Sequence, residues 1–249
     1  MKITDNIYLV GSGSQWGFGL TNPVDCNVFL VDTGDGCVMI DAGTGMEPEK
    51  LDAVIESHGY TLKDVKAMFL THYHGDHACG ASRIQKISGC TIYASELEAE
   101  VIAEGDEIRS SVAGAKGGLY PLDFTYPKSD NVVALKDGDS VTVGNVTFTG
   151  YMVPGHSQQD MVVYAEIDGK QCLFTGDCVF AHGQVLLQSL YDVSIFPYAE
   201  AMRKVAQLPI DAIFPGHGVF CLQDGHRYVQ AAVDKFNSGL IPQQLYYFT

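Results

Sequence analysis

The stretch Thr71-His72-Tyr73-His74-Gly75-Asp76-His77 constrains this chain more than any other, because three imidazoles and a carboxylate fall within a few residues of one another. It follows directly on the apolar run Val65 to Leu70, which reads as a short buried strand. Neutral imidazole binds zinc, iron or copper, and a carboxylate adds both a ligand and charge compensation. Side chains at alternate positions of a turn at a strand end can converge on one point. On that geometry His72 and His74 share one metal, while Asp76 and His77 turn toward a second. A single histidine is more often a hydrogen-bonded structural residue. The density of this string is what sets it apart.

The rest of the first half supplies the frame. Ile3 to Val10 reads as a first strand, and the glycine-rich segment Gly11 to Gly19 carries the chain's only tryptophan. Trp16 and Phe18 serve there either as a hydrophobic plug or as a flap over a substrate pocket. Asn27 to Val31 and Cys37 to Ile40 are strands joined by a hairpin signal at Asp32 to Gly36. The second of them ends in Asp41-Ala42-Gly43, where the carboxylate is either an ordinary turn residue or a partner that orients a metal-bound histidine. Pro48 to Gly59 reads as an amphipathic helix, and Ala81, Ile84 and Ile87 recur at helical spacing. The metal string therefore lies between a strand's C-terminal end and a helix, the edge at which open α/β sheets place ligands. A strand at 91 to 94 precedes a helix from Ser95 to Ile108, with Ser95 as N-cap and Glu98 closing a capping box. Ser110 to Asp130 is irregular, either a lid or a plain surface loop.

The second half replays the first. Strands at Val141 to Val143, Val146 to Val153, Met161 to Ile167 and Gln171 to Phe174 are followed by a helix from Ile195 to Leu208, an apolar run at Ala212 to Phe214 and a helix from about Asp224 to Asn237. Two similar halves packed as a four-layer sandwich in a single domain, 1–249, are the expected fold. Three further strand ends pair a metal-capable residue with glycine: Val153-Pro154-Gly155-His156-Ser157, Phe174-Thr175-Gly176-Asp177-Cys178 and Phe214-Pro215-Gly216-His217-Gly218. If the halves face each other, these turns meet the first string at one edge.

The set His-x-His-x-Asp-His, Gly-His-Ser, Thr-Gly-Asp and Gly-His-Gly resembles the metallo-β-lactamase fold superfamily, from the Asp41 turn to His217. The resemblance implies an α/β fold, the αββα sandwich. It implies that His72, His74 and His156 hold one metal, that Asp76, His77 and His217 hold the other, and that Asp177 bridges them. Class B β-lactamases usually lack the bridging Asp, so the resemblance points away from antibiotic degradation and toward the glyoxalase II-like and lactonase-like branch. The chain lacks the basic C-terminal region with which glyoxalase II holds glutathione, and Phe180 stands where lactonases usually have Tyr.

The implied chemistry is that of a dinuclear metal-dependent hydrolase, with two divalent ions, zinc first and iron or manganese next. Metals about 3.5 to 4 Å apart share a water whose pKa falls from 15.7 to around 7. The resulting hydroxide attacks an ester, lactone or thioester carbonyl of a small molecule, and Asp76 and Asp177 act as the catalytic carboxylates, Asp76 passing a proton to the leaving group. The alternative on the same fold is a non-haem iron oxidoreductase, persulfide dioxygenase-like or diiron; flavodiiron proteins usually carry Glu where His74 stands. Metal identity separates the two readings.

Charge narrows the partners. Fifteen basic against 30 acidic residues give a formal charge of −15, which disfavours nucleic acid and anionic membrane surfaces. No apolar run reaches signal-peptide or membrane-spanning length, which reads as a cytoplasmic protein. Seven scattered cysteines without a Cys-x-x-Cys pair read as reduced, buried thiols. The apolar tail from Leu240 to Thr249 is expected to dock on its own body or on a partner chain, which keeps a homo-oligomer open. Loops 11 to 22, 110 to 130 and 181 to 194 are expected to shape the substrate pocket. His182 and Tyr191 are weaker pocket candidates, His58 reads as an imidazolium at a helix C-terminus, and His226 and Cys178 read as structural.

Overall fold

In the first five strands apolar residues stand on both faces, so each strand needs a layer on either side. The computed structural model, which describes residues 1–188 and 190–245, provides them. One sheet runs in spatial order β1 (Ile7–Gly11), β2 (Val28–Asp32), β3 (Cys37–Ile40), β4 (Val65–Phe69), β5 (Thr91–Ser95) and β6 (Val132–Leu135). The other is built of β7 (Ser140–Val143), β8 (Val146–Met152), β9 (Met161–Ile167), β10 (Lys170–Gly176) and β11 (Ala212–Pro215), with β11 and β7 at its edges. Strands β3 to β6 run parallel, as do β10 and β11, and the remaining pairs are antiparallel.

Side-chain alternation divides the core into three layers. Ile7, Leu9, Phe29, Val31, Val38, Ile40 and Phe69 point inward and meet Phe148, Met161, Val163, Phe174 and Phe214 of the second sheet. Their neighbours Tyr8, Val10, Leu30, Met39 and Met68 point outward onto α1 (Pro48–Ser57), α3 (Ala81–Ser88) and α4 (Glu96–Glu104). The outer face of the second sheet carries α6 (Ile195–Val205) and α7 (Gly225–Asn237). The order is helix, sheet, sheet, helix, as the paired halves imply. In the middle, Phe29 lies with its ring centroid 5.5 Å from Phe174 and 5.4 Å from Phe214, joining the sheets.

Several local expectations change. The first strand begins at Ile7 rather than Ile3, because Ile3 and Thr4 instead give their N–H groups to the Ile7 carbonyl in a turn. Strand β6 has no counterpart in the sequence reading. Ser95 and Glu98 do not form a capping box: the Ser95 hydroxyl donates to the Gln159 carbonyl at 2.6 Å, and Glu98 is buried, accepting from the Tyr73 N–H and the Ser157 hydroxyl. The 110 to 130 segment contains the short helix α5 (Val112–Ala115). At the Asp168-Gly169 hairpin both residues have positive φ, the geometry that a two-residue turn of the favoured hand demands. The described part of the tail docks on its own body, Leu245 N–H donating to Val185 at 2.9 Å and Val185 N–H to Gln243 at 3.0 Å; residues 246–249 lie outside the described set. Among the described residues no helix is long and apolar enough to cross a membrane.

The inter-sheet phenylalanines make the packing testable. Phe29→Ala should cost about 3–5 kcal/mol, read as a lowered urea midpoint with an unchanged slope. A loss below about 1 kcal/mol would mean that Phe29 does not join the sheets.

Candidate metal centre

The parallel strands β3 and β4, together with β10 and β11, end at the same edge of the sandwich, and each end turns sharply on small residues. Backbone hydrogen bonds lock the two halves there. Met161 N–H donates to the Thr71 carbonyl at 2.8 Å, Asn27 N–H to Gly216 at 2.6 Å, and the Asn27 amide to Pro215 at 2.9 Å. Gly176, at φ 48°, lets the chain pass Thr71 closely, since a Cβ there would sit 2.6 Å from the Thr71 hydroxyl. Sequence-distant turns are thereby held in one place.

All seven residues singled out from the sequence converge at this edge, and all are buried. His72, His74 and His156 form one triad, with His74 Nδ1 3.1 Å from His156 Nε2. Asp76, His77 and His217 form a second, with His217 Nε2 3.1 Å from Asp76 Oδ2. Asp177 lies between them, its carboxylate 3.4 Å from His77 and from His217 and 3.6 Å from His156. Gly216 is required for this approach, because a Cβ would stand 2.5 Å from both Asp177 Oδ1 and His77 Cε1. The string itself bends at His74 into the single-turn helix α2 (Gly75–Ala78), which turns Asp76 and His77 toward the second triad.

The donor set fits metal ions. His72 Nε2 is fully buried and makes no hydrogen bond, an arrangement that costs free energy unless a cation occupies its lone pair. Burial and the neighbouring imidazoles hold His72 well below its ordinary pKa, in the neutral form that coordinates. Burial opposes ionisation of Asp177, yet His217 and His77 hold its carboxyl well below the usual range. Burial likewise opposes a charge on His217, but Asp177 and Asp76 raise it to about 9. The floor is therefore anionic enough to retain protons on imidazole, and a divalent ion competes for the same positions.

A second layer orients the first. His77 Nδ1 lies 2.9 Å from Asp41 Oδ2, and Asp41 also accepts from the Thr71 N–H at 2.8 Å, so Asp41 is placed to orient the His77 ring. His156 Nδ1 faces the Leu186 carbonyl at 2.9 Å. Asp192 accepts from the Tyr73 hydroxyl at 2.7 Å and stands 3.5 Å from His74 Nε2. Ligating histidines characteristically give their second nitrogen to such acceptors. Asp192, Tyr73 and Glu98 escaped sequence reading: nothing local marks a partner 119 residues away, and Glu98 mimics a helix cap.

Above the floor is a cavity of about 500 Å³ to which the loops 11–22, 110–130 and 181–194 all contribute. Trp16 lines it, packed edge-on with its ring centroid 5.5 Å from that of His217, whereas Phe18 packs on Phe220 instead. His182 and Tyr191 do not line the cavity: His182 packs edge-on against Tyr228 and the Tyr191 hydroxyl donates to the Arg109 carbonyl. His58 is not held as an imidazolium, since partial burial and the neighbouring amino terminus lower its pKa. His226 faces the Ala206 carbonyl at 3.2 Å, and burial raises the Cys178 thiol well above its ordinary value, so both are structural.

A family model described as the metallo-beta-lactamase superfamily matches residues 21–217. Among curated proteins, a "Beta-lactamase-like protein 2 homolog" of Caenorhabditis elegans is 24% identical over 193 residues, covering 77% of this chain and 55% of that protein. An "Atrochrysone carboxyl ACP thioesterase" of Emericella nidulans is 27% identical over 194 residues, covering 77% and 51%. The chain thus spans about half the length of these relatives. Among solved structures, a Cronobacter sakazakii metallo-β-lactamase superposes with a TM-score of 0.71 at 19% identity over 96% of each chain. The metallo-β-lactamase SMB-1 gives 0.70 at 19%, covering 94% of this chain and 95% of that one; at such identity these structures share the fold alone.

The orienting role of Asp41 predicts that Asp41→Asn binds zinc about 10–100-fold more weakly in a chelator competition titration while retaining its circular dichroism. Unchanged affinity would return Asp41 to the role of a plain turn residue.

Proposed function

Because the chain belongs to the metallo-β-lactamase superfamily, we propose that it is a metal-dependent hydrolase acting on an ester, lactone or thioester carbonyl of a small molecule. The observation that carries this reading is the position of Asp177 between two buried triads at the floor of a cavity. His72, His74 and His156 would hold one divalent ion and Asp76, His77 and His217 the other, zinc being the ion that suits a histidine-rich, carboxylate-containing set. When bound, such a pair brings the pKa of a shared water toward 7 and polarises a carbonyl oxygen.

The chain's own residues do the rest. Asp41 and the Leu186 carbonyl fix the rings of His77 and His156, so the ligand nitrogens need little reorganisation. Asp76, the less deeply buried of the two site carboxylates that line the cavity, is placed to accept a proton from the attacking water and deliver it to the leaving atom. Trp16, Leu186 and Leu190 set apolar surface around the same space. The fungal relative named as an acyl carrier protein thioesterase supports carbonyl chemistry of this kind. No comparable observation favours the iron oxidoreductase alternative.

The test is hydrolysis by the zinc-loaded protein across lactones, thioesters, carboxylic esters, phosphodiesters and a β-lactam, each with a chelated control. A chelator-sensitive rate on one carbonyl class is expected. Asp177→Ala should retain the fold but lose bound metal and activity by more than the roughly 10–100-fold typical of outer-layer partners. Retained metal content and full activity in that variant would remove Asp177 from the site.

A further inference from the structure

The cavity above the metal-capable floor carries its charged side chains at one end only. Among the described residues that line it, the carboxylates and imidazoles are those of His74, Asp76, Asp177 and His217, all on the floor, and no lysine or arginine takes part. The two cations nearest in sequence to its wall are committed elsewhere. Arg109 Nη1 lies 3.0 Å from Glu100, and Lys116 Nζ lies 2.6 Å from Glu107. The wall itself is apolar: Ile108, Ala113, Ala115, Leu119, Leu186 and Leu190 face the space. The remaining polar contributors, among them Ser110 and Gln188, are uncharged.

A carboxylate or phosphate lying against this wall would give up part of its hydration and find no cation there to replace it. An aliphatic or aromatic group would instead bury apolar surface at no such cost. We propose that this cavity seats the body of an uncharged, apolar carbonyl compound and discriminates against analogues that carry an anionic group on that body. The assignment rests on the hydrolase reading only for placing the carbonyl at the Asp76 and Asp177 end.

Trp16 lines the cavity and is the only tryptophan of the chain, so its fluorescence reports occupancy without any turnover. The zinc-loaded protein is titrated with 2-hexanone, 2-octanone and 2-decanone, neutral ketones that cannot be hydrolysed, and with 9-oxodecanoate, which matches 2-decanone in length but ends in a carboxylate. Kd should fall about three- to fourfold per added methylene, and 9-oxodecanoate should bind at least about tenfold more weakly than 2-decanone. Ile108→Lys, at a largely exposed position that tolerates the change, should narrow that gap about two- to fivefold. Affinities independent of chain length, or tighter binding of the oxoacid to the unaltered protein, would overturn the proposal. Chain-length-dependent ketone binding in a protein that hydrolyses nothing in the carbonyl panel would support the cavity assignment and overturn the hydrolase reading instead.

Discussion

Burying two carboxylates and five imidazoles at one edge of a sandwich is expensive, and much of this structure is arranged around that cost. His72, His77 and His156 have no measurable exposure, and none of the seven exceeds 8%. Mutual pairing recovers part of the desolvation penalty, as the raised pKa of His217 and the lowered pKa of Asp177 indicate. Pairing does not satisfy His72 Nε2, which is turned inward with no hydrogen-bond partner. A buried, unpaired imidazole nitrogen facing its fellow donors is the condition in which a cation is best accommodated.

The strand ends can hold this geometry because other parts of the chain are recruited to it. Asp41, at φ 61°, reaches both Thr71 and His77 and so ties β3 to the metal string. Asp192 and the Leu186 carbonyl bring the loop after β10 onto His74 and His156. Glu98, buried and pushed well above the ordinary carboxylate range by burial and Asp160, joins the Tyr73 backbone to Ser157 and so links the two halves behind the first triad. The same loop that steadies His156 also carries Leu186 and Leu190 into the cavity wall, which couples the position of a ligand to the shape of the space above it.

The fold and the seven residues that cluster at its edge were legible because their signals are local. A strand followed by glycine and a histidine or aspartate is readable within a few residues, and it occurs at four strand ends that the topology must bring to one edge. What escaped is nonlocal or disguised. Strand β6 is short, borders polar residues on both sides and is largely accessible, so it carries no run of buried positions to betray it. Glu98 sits at the spacing of a helix cap while serving Tyr73 and Ser157. Trp16 and Phe18 are two residues apart in one glycine-rich loop, yet only tertiary packing sends the first to the cavity lining and the second onto Phe220.

The central claim is that the edge is built for two cations, and equilibrium dialysis of the purified chain against buffered zinc measures it most directly. The account predicts saturation at two ions per chain, with both sites emptied by a strong chelator. Saturation below one ion per chain in protein of intact circular dichroism would contradict it.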